Sequence, residues 1–254
     1  MNTAGDYIGV FDSGVGGISV LRELVRCMPG ERFVYFGDSA NAPYGVRSTD
    51  EVRRLTLAAA EHLMQRGLKA LVLACNTATA AAVDLLRQTY PELIIVGIEP
   101  ALKLAADRYP GGSIGVMATS VTLREEKFSH LAGSLPGIRL HRIEAPGLVE
   151  LVEAGMADSP RCEALLHSIL DGYRGQLQAL VLGCTHYPFA RRAIARVLGP
   201  DTALLDGGPG TARQTLHRLR EKGLLWQGPG QVLIENSLRG ENMLILSEKL
   251  LKGE

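Results

Sequence analysis

The feature that most constrains this chain is a repeat: ALVLACN at 70–76 returns as ALVLGCT at 179–185. Self-similarity of this kind marks a fold built from repeated units. Two further lines match in the same order. IGVFDS at 8–13 resembles IGVMAT at 114–119, and IIVGIEP, ending at Pro100, is loosely mirrored by ALLDGGP, ending at Pro209. The chain reads as two similar halves. The expected division is residues 1–97 together with 209–254 as a first α/β domain, the tail returning through the short strand QVLIEN (231–236), and residues 98–208 as a second.

Within each half, short apolar runs alternate with longer amphipathic stretches. The strand candidates are IGVF (8–11), FVYFG (33–37), ALVLAC (70–75), LIIVGI (93–98), SIGVMA (113–118), RLHRIE (139–144), ALVLGC (179–184) and ALLDG (203–207). Helical patterns run from Ile18 to Arg26, Ser48 to Gln65, Ala78 to Thr89, Val121 to Ala132 and Arg161 to Tyr173. Alternation of this kind predicts parallel sheets, so the expected fold is α/β: two similar doubly wound domains related by a pseudo-twofold axis. Ligands of such sheets sit outside the carboxyl ends of the strands. Cys75 and Cys184 are each read as the last residue of a strand, which predicts an active site between the domains with a thiol from each.

Lys plus Arg and Asp plus Glu balance at 27 each, so no net field draws the chain onto nucleic acid or an anionic membrane. MNTAGDYIGV lacks the basic, apolar and small-residue regions of a secretory signal, and no later run reaches the roughly 18 apolar residues of a spanning helix. The expected location is the cytoplasm. The four cysteines, Cys27, Cys75, Cys162 and Cys184, form no CxxC pair and lie near no closely spaced histidines, so neither zinc nor an iron–sulfur cluster is expected. They are expected as free thiols.

Moving a stereocentre's hydrogen from one face to the other needs two acid/base groups, and two thiols meet that need. One must be a thiolate, yet an ordinary thiol has a pKa of about 8.5, so nearby groups must stabilise charge on sulfur. Asp12 after the first strand, His186 two residues beyond Cys184, and Glu153 in LVELVEAG are the candidates. Each has a structural alternative: Asp12 as the cap of a helix starting near Gly16, His186 as a satisfied core histidine. DSGVGG (12–17) bares backbone amides at a helix N-terminus and suits a carboxylate. It nearly matches a dinucleotide fingerprint, with Asp38 at the end of the next strand, but Ser19 takes the third glycine position and both cysteines would go unused. Asn76, Thr77 and Thr185 place amide and hydroxyl groups at the two strand ends, where they also suit helix caps, and PYG (43–45) reads as a turn over the same side. GGSIG (111–115) fits GxSxG formally but precedes its strand, which excludes a nucleophile elbow. No GK[ST], HExxH or basic–aromatic module is present.

FDSGVGG (11–17), PYG (43–45), ACNTATA (74–80), PGLVELVEAG (146–155) and GCTHYP (183–188), in this order, make the chain similar over nearly its full length to glutamate racemases of the aspartate/glutamate racemase superfamily. The histidine of GCTHYP points to glutamate, since aspartate racemases of the superfamily usually carry a glutamate there. The resemblance implies interconversion of L- and D-glutamate without pyridoxal or another cofactor, supplying D-glutamate for peptidoglycan. It implies that Cys75 and Cys184 alternate as proton donor and acceptor, Cys184 toward L-glutamate and Cys75 toward D-glutamate. Asp12 and His186 would assist them, with Glu153 a further candidate. Substrate contacts would come from Asp12, Ser13, Tyr44, Gly45, Asn76, Thr77, Thr185 and His186, with Thr119 as the matching position in the second half. A homodimer is implied; activation by a peptidoglycan precursor is not, because the N-terminal extension that accompanies it is missing. Ala145 replaces a cysteine common in relatives. The rival readings are a racemase of aspartate or a related acid, a Cys–His hydrolase using Cys184, and a non-catalytic amino-acid-binding protein.

Overall fold

The computed structural model describes residues 5–124, 126–135 and 137–253. Met1–Ala4, the start of the N-terminal stretch read above, lie outside the described residues. The chain divides into two compact units, the first running to Ile98 and resuming at Gly208, the second spanning Glu99–Gly207.

The first unit opens β1 (Tyr7–Asp12), α1 (Ile18–Cys27), β2 (Arg32–Gly37), α2 (Thr49–Met64), β3 (Leu68–Leu73), α3 (Asn76–Thr89), β4 (Ile94–Gly97). The second unit follows with α4 (Leu102–Arg108), β5 (Ser113–Ala118), α5 (Ser120–Arg124), α6 (Glu126–Gly133), β6 (Arg139–Glu144), α7 (Leu148–Glu153), α8 (Pro160–Leu170), β7 (Ala179–Leu182), α9 (Arg191–Leu198) and β8 (Ala203–Asp206). The chain then rejoins the first unit as α10 (Gly208–Glu221), β9 (Gln231–Asn236) and α11 (Asn242–Lys252). The segment expected as one helix from Val121 to Ala132 is described as α5 and α6 on either side of Glu125, which lies outside the described residues.

Among the described residues the first unit carries a five-stranded sheet ordered β4-β3-β1-β2-β9 and the second a four-stranded sheet ordered β6-β5-β7-β8. Every pairing is parallel. In each unit the first strand is central, flanked by the next two, so the internal repeat in sequence is a repeat in topology. The interior strand β3, LKALVL, is buried at all positions because helices cover both faces of a parallel sheet. β9 extends β2 in register from Arg32↔Gln231 to Gly37↔Asn236. Lys69 and Glu31, both buried, pin the start of this return: Lys69 Nζ donates to Glu31 Oε2 at 2.7 Å and to the Leu224 carbonyl at 2.9 Å. Glu31 Oε1 accepts the Trp226 amide at 2.7 Å.

Local chemistry sets the helix starts. The Ser48 side chain accepts the Glu51 amide at α2, and Ser159 accepts that of Cys162 at α8, whose first residue is proline. One expectation is corrected. Strands β3 and β7 end at Leu73 and Leu182, so neither cysteine is the last residue of its strand; each lies two residues beyond. Their surroundings also diverge. Cys75 is the N-cap of α3, whereas after Cys184 the chain forms a 3-10 turn, Tyr187–Ala190, before α9. Pro188 is the second residue of that turn, and the α-helix that follows Cys75 at once in the other unit begins here only at Arg191.

Candidate active site

In the first unit the polar groups gather where β1, β2 and β3 end. Asp12 closes β1, fully buried, and its Oδ1 accepts the Gly14 amide at 2.9 Å. Asp12 therefore ties the turn after β1; α1 begins instead behind Gly17, with no side-chain cap. Gly17 is required: a Cβ there would lie 2.5 Å from the Asp12 Cβ. Ser13 Oγ lies 3.5 Å from Cys75 Sγ, and the same sulfur accepts the Ala78 amide at 3.5 Å. A sulfur at the N-terminus of a 14-residue helix is placed where negative charge is favoured.

The PYG turn enters the same cluster. After a cis Ala42–Pro43 bond, Tyr44 and Gly45 lie in a 3-10 turn, Tyr44–Val46. Buried Tyr44 donates through Oη to Asp38 Oδ2 at 2.7 Å, and Asn41 Nδ2 reaches both oxygens of that carboxylate at 3.0 Å. Burial first, then the hydrogen bond and charge of Asp38, then the charges of Cys75 and Asp12, push the Tyr44 hydroxyl far above the ordinary tyrosine value, so it remains a donor. Asn76 and Thr77 open α3, both buried. Asn76 Oδ1 is a buried acceptor with no hydrogen bond from the described residues, the kind of atom a ligand ammonium satisfies.

In the second unit Cys184 Sγ lies 3.7 Å from His186 Nδ1, and His186 Nε2 lies 2.7 Å from Glu153 Oε1. Cys184 and His186 are buried, and Glu153 is the last residue of α7, which starts behind left-handed Gly147. His186 is thus held at both ring nitrogens, between a thiol and a carboxylate. Thr185 is buried beside them. Tyr187 follows; burial first, then the charges of Cys184, Glu150 and Glu144, push its hydroxyl well above its ordinary value. Thr119 behaves as a cap: its Oγ1 accepts the Thr122 amide at 3.3 Å and lies 3.1 Å from Thr122 Oγ1.

The structure therefore brings Asp12, Ser13, Tyr44, Gly45, Cys75, Asn76 and Thr77 to the strand ends of one unit, and Glu153, Cys184, Thr185 and His186 together in the other. Asp38 was read from sequence only through the dinucleotide pattern; its pairing with Tyr44, six residues on, is the signal that reading missed. All four cysteines are free thiols. Among the described residues no group of three or more His, Cys, Asp or Glu side chains is arranged to hold a metal, and no helix is long and apolar enough to cross a membrane.

This arrangement can be set beside known proteins. The chain is 45% identical over 251 residues to a glutamate racemase of Clostridium botulinum, covering 97% of each. It superposes on the crystal structure of glutamate racemase from Thermus thermophilus in complex with beta-chloro-D-alanine with TM-score 0.84 and 36% identity, over 97% of this chain and 93% of that one. The Escherichia coli enzyme, solved in complex with L-glutamate and the activator UDP-MurNAc-ala, matches with TM-score 0.85 and 28% identity, over 96% and 95%. The sequence profile described as Asp/Glu/Hydantoin racemase matches residues 8–215, most of the chain and every residue of both clusters. With two parallel-sheet units, each bearing a buried thiol just past its strand ends, the chain belongs to the Asp/Glu/Hydantoin racemase family.

Proposed function

We propose that this protein is a glutamate racemase that interconverts L- and D-glutamate through two thiols and without a cofactor, and that it supplies D-glutamate for peptidoglycan. The observation that carries this reading is that each unit holds a buried cysteine just beyond its sheet, each with its own proton-handling or charge-stabilising partners. Cys75 has Ser13 and the Ala78 amide; Cys184 has the His186–Glu153 pair. One thiolate accepts the α-proton while the other thiol donates, and the roles exchange in the reverse direction. Cys184 serves L-glutamate and Cys75 serves D-glutamate.

The α-carbon is weakly acidic, so developing negative charge must be met by fixed donors, each worth about 3–4 kcal/mol in a water-poor site. Ser13, Thr77, Thr185 and backbone amides supply donors for the carboxylates. Asp12, Tyr44, Gly45, Asn76 and His186 complete the contacts, the unpartnered Asn76 Oδ1 suiting the ammonium. Thr119 is the remaining contact, its Oγ1 held in place by Thr122. Four free thiols, two of them working, fit a reducing cytoplasm. A homodimer is the expected assembly, to be tested by sedimentation.

The Cys184–His186–Glu153 relay by itself also suits nucleophilic catalysis, so a Cys–His hydrolase is the second reading. A panel of L-glutamate, L-aspartate and simple esters, run with the wild type and Cys75→Ser, separates the two. D-glutamate from L-glutamate in the wild type and none in Cys75→Ser supports racemisation; ester cleavage that survives Cys75→Ser supports the hydrolase.

A further inference from the structure

We infer that Tyr35 is a positioning residue for the Cys75 half of the reaction, fixing the Gly14 peptide so that Asp12 and Ser13 keep their places near the thiol; this rests on the two-thiol reading above. Tyr35 lies in β2 and is completely buried. A buried phenol must spend its hydroxyl on a partner, and here a backbone carbonyl in the turn after β1 takes it. Tyr35 Oη donates to the Gly14 carbonyl at 2.6 Å. On the other side of the same residue, the Gly14 amide donates to Asp12 Oδ1 at 2.9 Å.

The carbonyl is confined from a second direction. A Cβ at Gly37 would lie 2.5 Å from the Gly14 oxygen, so the end of β2 packs its bare backbone against this peptide. Ser13, whose Oγ lies 3.5 Å from Cys75 Sγ, sits between Asp12 and Gly14, both of which are fixed. The segment 12–17 is otherwise rich in glycine, which has little intrinsic preference for one backbone conformation. These contacts restrain it. The route from Tyr35 to the thiol runs through this peptide.

The test compares the wild type with Tyr35→Phe, which keeps the ring and removes the hydroxyl, and with Gly37→Ala, which pushes the same carbonyl from the other side. Loss of one neutral hydrogen bond predicts a fall in turnover of about three- to tenfold. The discriminating readout is the isotope effect on kcat/KM with α-deuterated substrate. Slowing only the Cys75 step raises the effect for the enantiomer that gives its proton to Cys75, assigned here as D-glutamate, without raising it for the other. Glu31→Gln, which loosens the same unit at the far ends of its strands, lowers the amount of folded enzyme and leaves both isotope effects at the wild-type value. Isotope effects in Tyr35→Phe that are unchanged, or that rise equally for both enantiomers, overturn the proposal.

A second arm stands apart from substrate identity: alkylation by iodoacetamide, followed at each thiol by mass spectrometry. If the wild type leaves glutamate untouched, the functional reading falls, and Tyr35 is judged by this arm alone. A change of severalfold at Cys75 with Cys184 unaltered supports the positioning role; no change, or equal changes, overturns it.

Discussion

Cys75 and Cys184 occupy equivalent places in two repeated units, yet their neighbours differ: a hydroxyl and a helix amide beside one, an imidazole held by a carboxylate beside the other. On the proposed two-thiol mechanism, replacing either thiol by serine removes a proton carrier, so racemisation is expected to fall by about a thousandfold or more in both variants, measured by circular dichroism of the glutamate pool. A variant that kept a tenth of wild-type turnover would contradict its assigned role. Glu153 is proposed to act through His186, which it contacts at 2.7 Å. Glu153→Gln substitutes a neutral partner for a charge-assisted one and is expected to lower kcat at least tenfold with little change in KM, since Glu153 is not assigned to substrate. Much at this scale was legible in the sequence, because the cysteines, Asp12 and His186 stand next to strand ends and the strands are plain apolar runs. Tyr35 was not, because an aromatic in an apolar strand reads as core until its hydroxyl is located. Asp38 was left without a role, because the dinucleotide pattern it belongs to was rejected and nothing in the sequence pairs it with Tyr44.

Elements carry the residues, and the sequence located most of them while misjudging several ends. Apolar runs continue past the last ladder hydrogen bond in ALVLAC and ALVLGC, so hydrophobicity alone extends both strands by two residues; what ends them is the turn that presents the sulfur. The buried Lys69–Glu31 pair has a role of its own at this scale. It joins the start of β3 to the Leu224–Trp226 segment that leads into β9. Removing one partner leaves an uncompensated buried charge, so Lys69→Met is expected to destabilise the protein by about 3–5 kcal/mol. The double change Lys69→Met with Glu31→Leu is expected to cost clearly less than that single change. Urea unfolding of the variants checks this; a single change costing under about 1 kcal/mol would deny the pair its structural part.

For the whole molecule, the repeat in the sequence announced two parallel α/β units, and the order of strands in each sheet repeats accordingly. Burial also gives the molecule a pH dependence. Cys162 is pushed above the ordinary thiol value, mainly by burial, and Tyr44 and Tyr187 are pushed above the ordinary phenol value. Below those ordinary values, about 8.5 and 10, the groups are protonated folded and unfolded alike, and stability is full. Above them the unfolded chain releases protons that the folded chain keeps, so stability falls as pH rises. Tm is expected to drop from pH 8 to pH 10.5, and Cys162→Ala to flatten the first part of that slope; a Tm that rises over the range would contradict the assignment. The central claim is that two separate thiols serve the two enantiomers. Its most direct test is the early time course of L-glutamate in deuterated water, resolving deuterium in each enantiomer. The account predicts D-glutamate that carries α-deuterium while the remaining L-glutamate stays protiated. Deuterium appearing equally in both from the start, or D-glutamate formed without it, would contradict a two-thiol mechanism.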